Sequence, residues 1–145
     1  MSKKYPAVKK FKPKNPNKWV EPNNIILRSS WELKFAKWAD NNPAVIRVCS
    51  EEIVVPYLSP VDGKMHRYFT DFAMIIERNG VHQKYLIEIK PEAQTLPPKR
   101  GKRTTNKYVE SIALYAVNQS KWAAAEEFCR RNNMKFQILT EKHLY

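Results

Sequence analysis

The pair Asn79-Gly80 constrains this chain more than any other feature. Both residues accept the positive φ values of a type I′ turn, and alternating apolar runs flank them, so the segment reads as a tight β-hairpin. A two-residue turn also fixes a register. With Arg78 facing Val81, counting outward along both strands brings Asp71 directly opposite Glu88. Directly opposed residues share a face of the sheet, with Cβ atoms about 4.5–5.5 Å apart. In the second strand, Tyr85, Ile87 and Ile89 lie on one side and Leu86, Glu88 and Lys90 on the other, before Pro91 ends the run. Two facing carboxylates repel. A divalent cation between them turns that liability into a site, because hard cations take carboxylate oxygens. A slip of one residue would send the two acids to opposite faces.

The rest of the chain supplies one core around this hairpin. With 145 residues, 43% of them hydrophobic, a single compact domain is expected. Lysine and arginine outnumber aspartate and glutamate 26 to 14, and the net charge of +12 points to a polyanionic partner. The excess is concentrated in two stretches. Residues 1–24 carry seven lysines and four prolines, and Tyr5, Phe11 and Trp19 interleave with them. This basic arm is expected either to be extended, tracking a nucleic acid or a protein, or to pack its aromatics on the domain that follows, 25–145. The second stretch, 91–107, holds Lys99, Arg100, Lys102, Arg103 and Lys107 and reads as a mobile, DNA-binding loop. No apolar run approaches the ~18 residues of a membrane span, and the N-terminus lacks the apolar core of a signal peptide. Cys49 and Cys129 stand apart, without zinc-ligand spacing, and read as buried reduced thiols.

A helix is expected from Ser29 to about Asn42, with Trp31, Phe35, Trp38 and Ala39 as its buried stripe. Glu32 sits about 100° from Trp31 on the border of that stripe. It can complete a Ser29-x-x-Glu32 capping box, look into a cleft, or do both. Strands follow at 51–58, where Pro56 demands an edge or a bulge, and at 66–77, which carries Asp71. After the hairpin, a helix over 106–118 places Tyr108, Val109, Ile112, Tyr115 and Ala116 in the core. Asn118-Gln119-Ser120 then interrupts, a second helix covers 121–132, and a last strand over 135–139 returns parallel to an earlier one. The expected order is α-β-β-β-α-α-β, an α/β fold with a mixed four-stranded sheet flanked by helices.

Asp71, Glu88 and Lys90, with Glu32 as a fourth member, suit metal-dependent phosphodiester hydrolysis. Asp71 and Glu88 would hold Mg²⁺, with Mn²⁺ able to substitute, and the Ile89 carbonyl between the two charged side chains could complete the shell. Lys90 would orient or deprotonate the nucleophile and offset charge on the phosphorane. Glu32 could bind a second metal ion or position water.

An acid on a hairpin strand, followed by acid-x-lysine on the next, resembles the PD-(D/E)xK nuclease superfamily. Residues from about 25 onward look most like the head completion nucleases of contractile-tailed phages. Arg28-Ser29-Ser30-Trp31-Glu32, Val55-Pro56-Tyr57-Leu58-Ser59-Pro60, Gly63-Lys64-Met65-His66-Arg67-Tyr68-Phe69 and Asp71 carry that likeness. A broader likeness reaches the TnsA-type transposase subunit that cuts 5′ ends, and phage-type Holliday-junction resolvases. Thr70 stands where the superfamily usually has proline. The resemblance implies a restriction-endonuclease-like core, with Glu32, Asp71, Glu88 and Lys90 catalytic. It further implies a DNA endonuclease of low sequence specificity that acts on packaged phage DNA before the tail joins, with exonuclease action left open. Phage head or portal proteins are then expected partners, and the host cytoplasm or the virion the location. Two other readings stay open: a connector of the head that works by contact alone, and a junction resolvase.

Overall fold

The structure, a computed structural model, describes residues 10–144. Lys3, Lys4, Tyr5, Pro6 and Lys9 of the basic arm lie outside the described residues. In chain order come α1 (Ser30–Asn41), β1 (Val45–Ser50), β2 (Val54–Leu58), β3 (Met65–Phe69), β4 (Phe72–Arg78), β5 (Val81–Ile89), α2 (Asn106–Arg131), β6 (Met134–Leu139) and the short α3 (Glu141–Leu144). Single 3-10 turns cover Pro16–Lys18 and Glu92–Thr95.

The hairpin forms as its turn dictates. Asn79 and Gly80 both take positive φ, and β4 pairs with β5 from Arg78↔Val81 to Phe72↔Ile87. The ladder ends at that pair, and Asp71 lies one residue beyond it in a bend, its side chain reaching Ile89 N–H. β6 lies parallel to β5 on its other side, and β1 antiparallel to β4, giving the mixed four-stranded order β1-β4-β5-β6. β5, which carries Glu88, is therefore a central strand.

The sheet is mixed and four-stranded as expected, but its membership and the element order differ. Val45–Ser50 is a strand that the sequence pattern concealed, because a register shift between Val45 and Arg47 breaks the period of two and leaves Val48, Cys49 and Ser50 buried in succession. The expected strand 66–77 is two strands. Its first half pairs with β2 in a separate two-stranded sheet. The chain turns from one sheet to the other at Thr70, whose N–H and Oγ1 both donate to the Ile53 carbonyl, at 3.2 and 2.9 Å. Proline at this position could make neither bond.

A single helix, α2, runs through Asn118-Gln119-Ser120, where a break was expected. Asn118, Trp122, Ala125 and Cys129 recur at helical spacing and are all buried, so tertiary packing overrides the weak helix preference of the three polar residues. The expected core of its first half is corrected as well. Val109 and Ile112 are 52% and 42% exposed, while Tyr108, Tyr115 and Ala116 are only partly buried, and the buried stripe of α2 starts at Asn118. In α1 the buried stripe is Glu32, Phe35, Ala36, Ala39 and Asp40, while Trp38 is 45% exposed against the expectation.

Two apolar clusters hold the layers. On one face of the sheet, Phe35, Ala36 and Ala39 meet Phe72, Met74, Ile76, Ile87 and Ile89. On the other, Trp122, Ala125 and Cys129 meet Ala73 and Leu86, together with Val55, Tyr57 and Tyr68 of the small sheet. Each fully buried side chain such as Leu86 or Ile87 contributes about 1.5–3 kcal/mol. Both cysteines are free and buried.

The described part of the arm is packed on the domain. Trp19 is buried in the first cluster, its ring edge against Phe11, and it bridges to Val48 of β1. The Asp40 carboxylate accepts from Lys14 N–H (2.8 Å), Asn15 N–H (3.1 Å) and Trp19 Nε1 (3.1 Å). Lys18 Nζ donates to the Ala39 and Asn42 carbonyls, satisfying acceptors that the end of α1 leaves open. No helix among the described residues is long and apolar enough to cross a membrane.

Candidate active site

Asp71 stands at the corner where the chain passes from the small sheet into β4. Its Oδ2 accepts from Ile89 N–H of β5 at 2.7 Å, so the carboxylate is anchored across the hairpin between the positions of Glu88 and Lys90. As a residue Asp71 keeps some exposure, but its carboxyl is enclosed. Burial pushes its pKa from 3.8 up to about 7. Glu32 raises it further and Glu51 adds to this, while the Ile89 bond and the charge of Lys90 pull the other way. Glu88 is 5% exposed on β5. Lys90 follows where β5 ends, and its N–H donates to the Leu139 carbonyl of β6 at 3.0 Å.

Glu32 reaches the same place from the first turn of α1. Its backbone N–H donates to Ser29 Oγ at 3.1 Å, and Ser29 Oγ donates to its Oε2 at 3.0 Å. The capping role is therefore real, with the carboxylate engaged by the serine hydroxyl. Glu32 is nonetheless buried and acts electrostatically on Asp71, so the capping glutamate also belongs to this acidic corner. Burial raises its pKa, aided by Glu51, against the bonds from Ser29 and Arg28 and the Arg28 charge.

Sequence reasoning passed over one acid here. Glu51 follows β1 with φ +53, a left-handed conformation that costs a non-glycine residue about 1–2 kcal/mol. Its N–H donates to the Asp71 carbonyl at 3.2 Å, and its carboxylate pairs with Arg28. The signal available was the doublet Glu51-Glu52 at the end of an apolar run, on the strand that comes to lie beside the hairpin acid.

The arrangement concentrates negative charge in a poorly solvated corner. Oε2 of Glu51 is buried and makes no hydrogen bond, and Asp71 is held far above its ordinary range by burial and by the acids around it. Both observations fit a bound divalent cation, which would offset the repulsion and use oxygen donors of this type. Among the described residues, no three His, Cys, Asp or Glu side chains stand close enough together to hold a metal ion by themselves.

The basic loop leaves from this end of β5. Its start is tied down, since Glu92 N–H donates to Glu141 at 3.0 Å and Lys142 pairs with Glu92. Lys99, Arg100, Lys102 and Arg103 are exposed beyond it, and Lys107 is exposed in the first turn of α2. Arg100 donates to Thr104 Oγ1 at 3.1 Å, and Thr105 caps α2 by accepting from Tyr108 N–H.

Residues 42–141 match the family described as TnsA-like endonuclease N terminal. The chain is also 38% identical over 140 residues to the head completion nuclease of Enterobacteria phage T4, covering 93% of this chain and 91% of that protein. Asp71, Glu88 and Lys90 fall inside the family match, whereas Glu32 precedes it.

Proposed function

The chain belongs to the TnsA-like endonuclease family, and on that premise we propose that it is a metal-dependent DNA endonuclease of low sequence specificity. The observation that carries this reading is the anchoring of Asp71 on Ile89 N–H, which holds one carboxylate between Glu88 and Lys90 and within the field of Glu32. Asp71, Glu88 and the Ile89 carbonyl would hold Mg²⁺ or Mn²⁺, and Glu32 would hold a second ion or a water. When bound, the ion polarises the scissile phosphate and lowers the pKa of an attacking water. Lys90, at the open end of the central strand, orients that water and offsets charge gathering on the phosphorus oxygens. Lys99, Arg100, Lys102, Arg103 and Lys107 neutralise the backbone of the duplex, without reading bases.

The T4 relative is named for head completion. By that likeness the substrate is packaged phage DNA, cut or trimmed before head and tail join, with head or portal proteins as partners, in the host cytoplasm or on the virion. The test is purified protein with supercoiled plasmid, in Mg²⁺ and in EDTA, beside Asp71→Ala. Nicking and linearisation by the wild type in Mg²⁺ alone are expected. Equal cutting by Asp71→Ala, with contaminating nucleases excluded, would falsify the reading, and a protein that binds DNA without cutting it would favour a connector.

A further inference from the structure

Arg28 and Glu51 form an ion pair inside the acid corner, and its geometry is unusual. A single nitrogen, Nη2, lies 3.4 Å from Oε1 and 3.4 Å from Oε2 of Glu51. Strong guanidinium–carboxylate bonds are about 2.7–2.9 Å and use two nitrogens. The guanidinium thus straddles the carboxylate loosely, and Oε2 is left buried without a hydrogen bond. The pair is mostly enclosed, with side chains 26% and 15% exposed. Both partners are fixed from behind. Arg28 immediately precedes the Ser29 cap of α1, and Glu51 is held in its left-handed conformation by the bond to the Asp71 carbonyl. Arg28 also acts on Glu32, and Glu51 on both Glu32 and Asp71, so the guanidinium stands among the acids as a cation of that corner.

We propose that Arg28 is an exchangeable counter-ion: it occupies Glu51 while no metal is bound and yields that carboxylate to a divalent cation when one enters. The inference rests on the nuclease reading, and it adds Glu51 to the metal-facing acids and Arg28 as their competitor. The chemistry favours exchange over a fixed brace. A divalent ion brings twice the charge to the same oxygens, and a straddling contact at 3.4 Å gives up little when it parts. The displaced guanidinium, still partly exposed beside the acids, is then at hand for a phosphate oxygen of the substrate.

The experiment measures divalent-cation affinity directly, by calorimetric titration of the full chain with Mn²⁺ and Mg²⁺ in the absence of DNA. The proteins are the wild type, Arg28→Ala, Glu51→Gln and the double variant, with thermal melting in EDTA as the folding control. Removal of the competitor should tighten binding several-fold in Arg28→Ala. Without the carboxylate, binding should weaken about ten- to a hundredfold in Glu51→Gln. The double variant should bind far more nearly as Glu51→Gln does than as Arg28→Ala does, because Arg28 competes chiefly through that side chain and acts on Glu32 only through its charge and backbone. Unchanged or weaker binding in Arg28→Ala, or unchanged binding in Glu51→Gln, makes the pair a structural brace and overturns the proposal. Arg28→Gln replaces the alanine variant if the latter melts early. Asp71→Asn separates the two layers of inference. Binding by the wild type that Asp71→Asn abolishes upholds the metal site whatever Arg28 does, and a wild type that binds neither ion sinks both readings.

Discussion

Asp71 shows what an enclosed carboxyl costs the fold that carries it. Its folded-state pKa of about 7 stands above the 3.8 of the unfolded chain. The folded protein therefore holds a proton that the unfolded chain releases as pH rises from about 4 to about 7. Stability is full below that window, falls across it and levels off above it. At 1.36 kcal/mol per unit the loss is at most about 4 kcal/mol. In EDTA at about pH 8, above that window, Asp71→Asn should therefore melt higher than the wild type and lose most of the slope across it, while its cleavage is abolished. Thermal melts of both proteins from about pH 4 to about pH 8 check the sign, and a variant that melts lower would refute it. Divalent cations should raise the melting temperature of the wild type and leave that of Asp71→Asn nearly unmoved. Lys90→Ala should cut cleavage at least about a hundredfold, with DNA affinity in EDTA and melting nearly unchanged. Single-turnover cleavage beside a filter-binding titration separates the two.

Elements were legible where one local signal decides them. Asn79-Gly80 admits one tight turn, so the β4–β5 register could be counted out, and the polar break at Asn132-Asn133 announced the return into β6. What escaped is set by contacts distant in sequence. β1 is bulged and buried at successive positions, Asn118 is drawn into the helix stripe by Trp122 and Ala125, and the corner at Thr70 depends on a carbonyl from Ile53. Glu51 went unread for the same reason, since only the pairing of β1 with β4 brings it beside Asp71. The docking of the arm hangs on Asp40, an acid on the buried stripe of α1 that gathers three donors. Asp40→Ala leaves the Trp19 indole N–H buried without its acceptor and should destabilise the protein by about 2–3 kcal/mol. Urea unfolding followed by tryptophan fluorescence measures the effect. An unchanged midpoint would mean that the strap is held by its aromatics alone.

For the molecule as a whole, +12 of charge governs how substrate arrives more than how tightly the fold is held. Exchange of Lys99, Arg100, Lys102 and Arg103 for glutamine should flatten the dependence of DNA affinity on salt, by up to about 0.9 in log–log slope for each phosphate no longer neutralised. Melting should not change, because all four side chains are exposed. Fluorescence-anisotropy titrations across a salt series read the slope directly. The parallel pairing of β5 with β6 bears on how the catalyst comes into being. Glu88 lies on, and Lys90 directly follows, a strand whose second neighbour is synthesised only after the basic loop and the whole of α2. On the ribosome, that strand waits with one bare edge and with the Lys90 amide lacking its acceptor. Cutting power should thus switch on only when translation is all but finished, and fragments that stop within α2 should be inert and prone to stick to one another through the unfinished sheet.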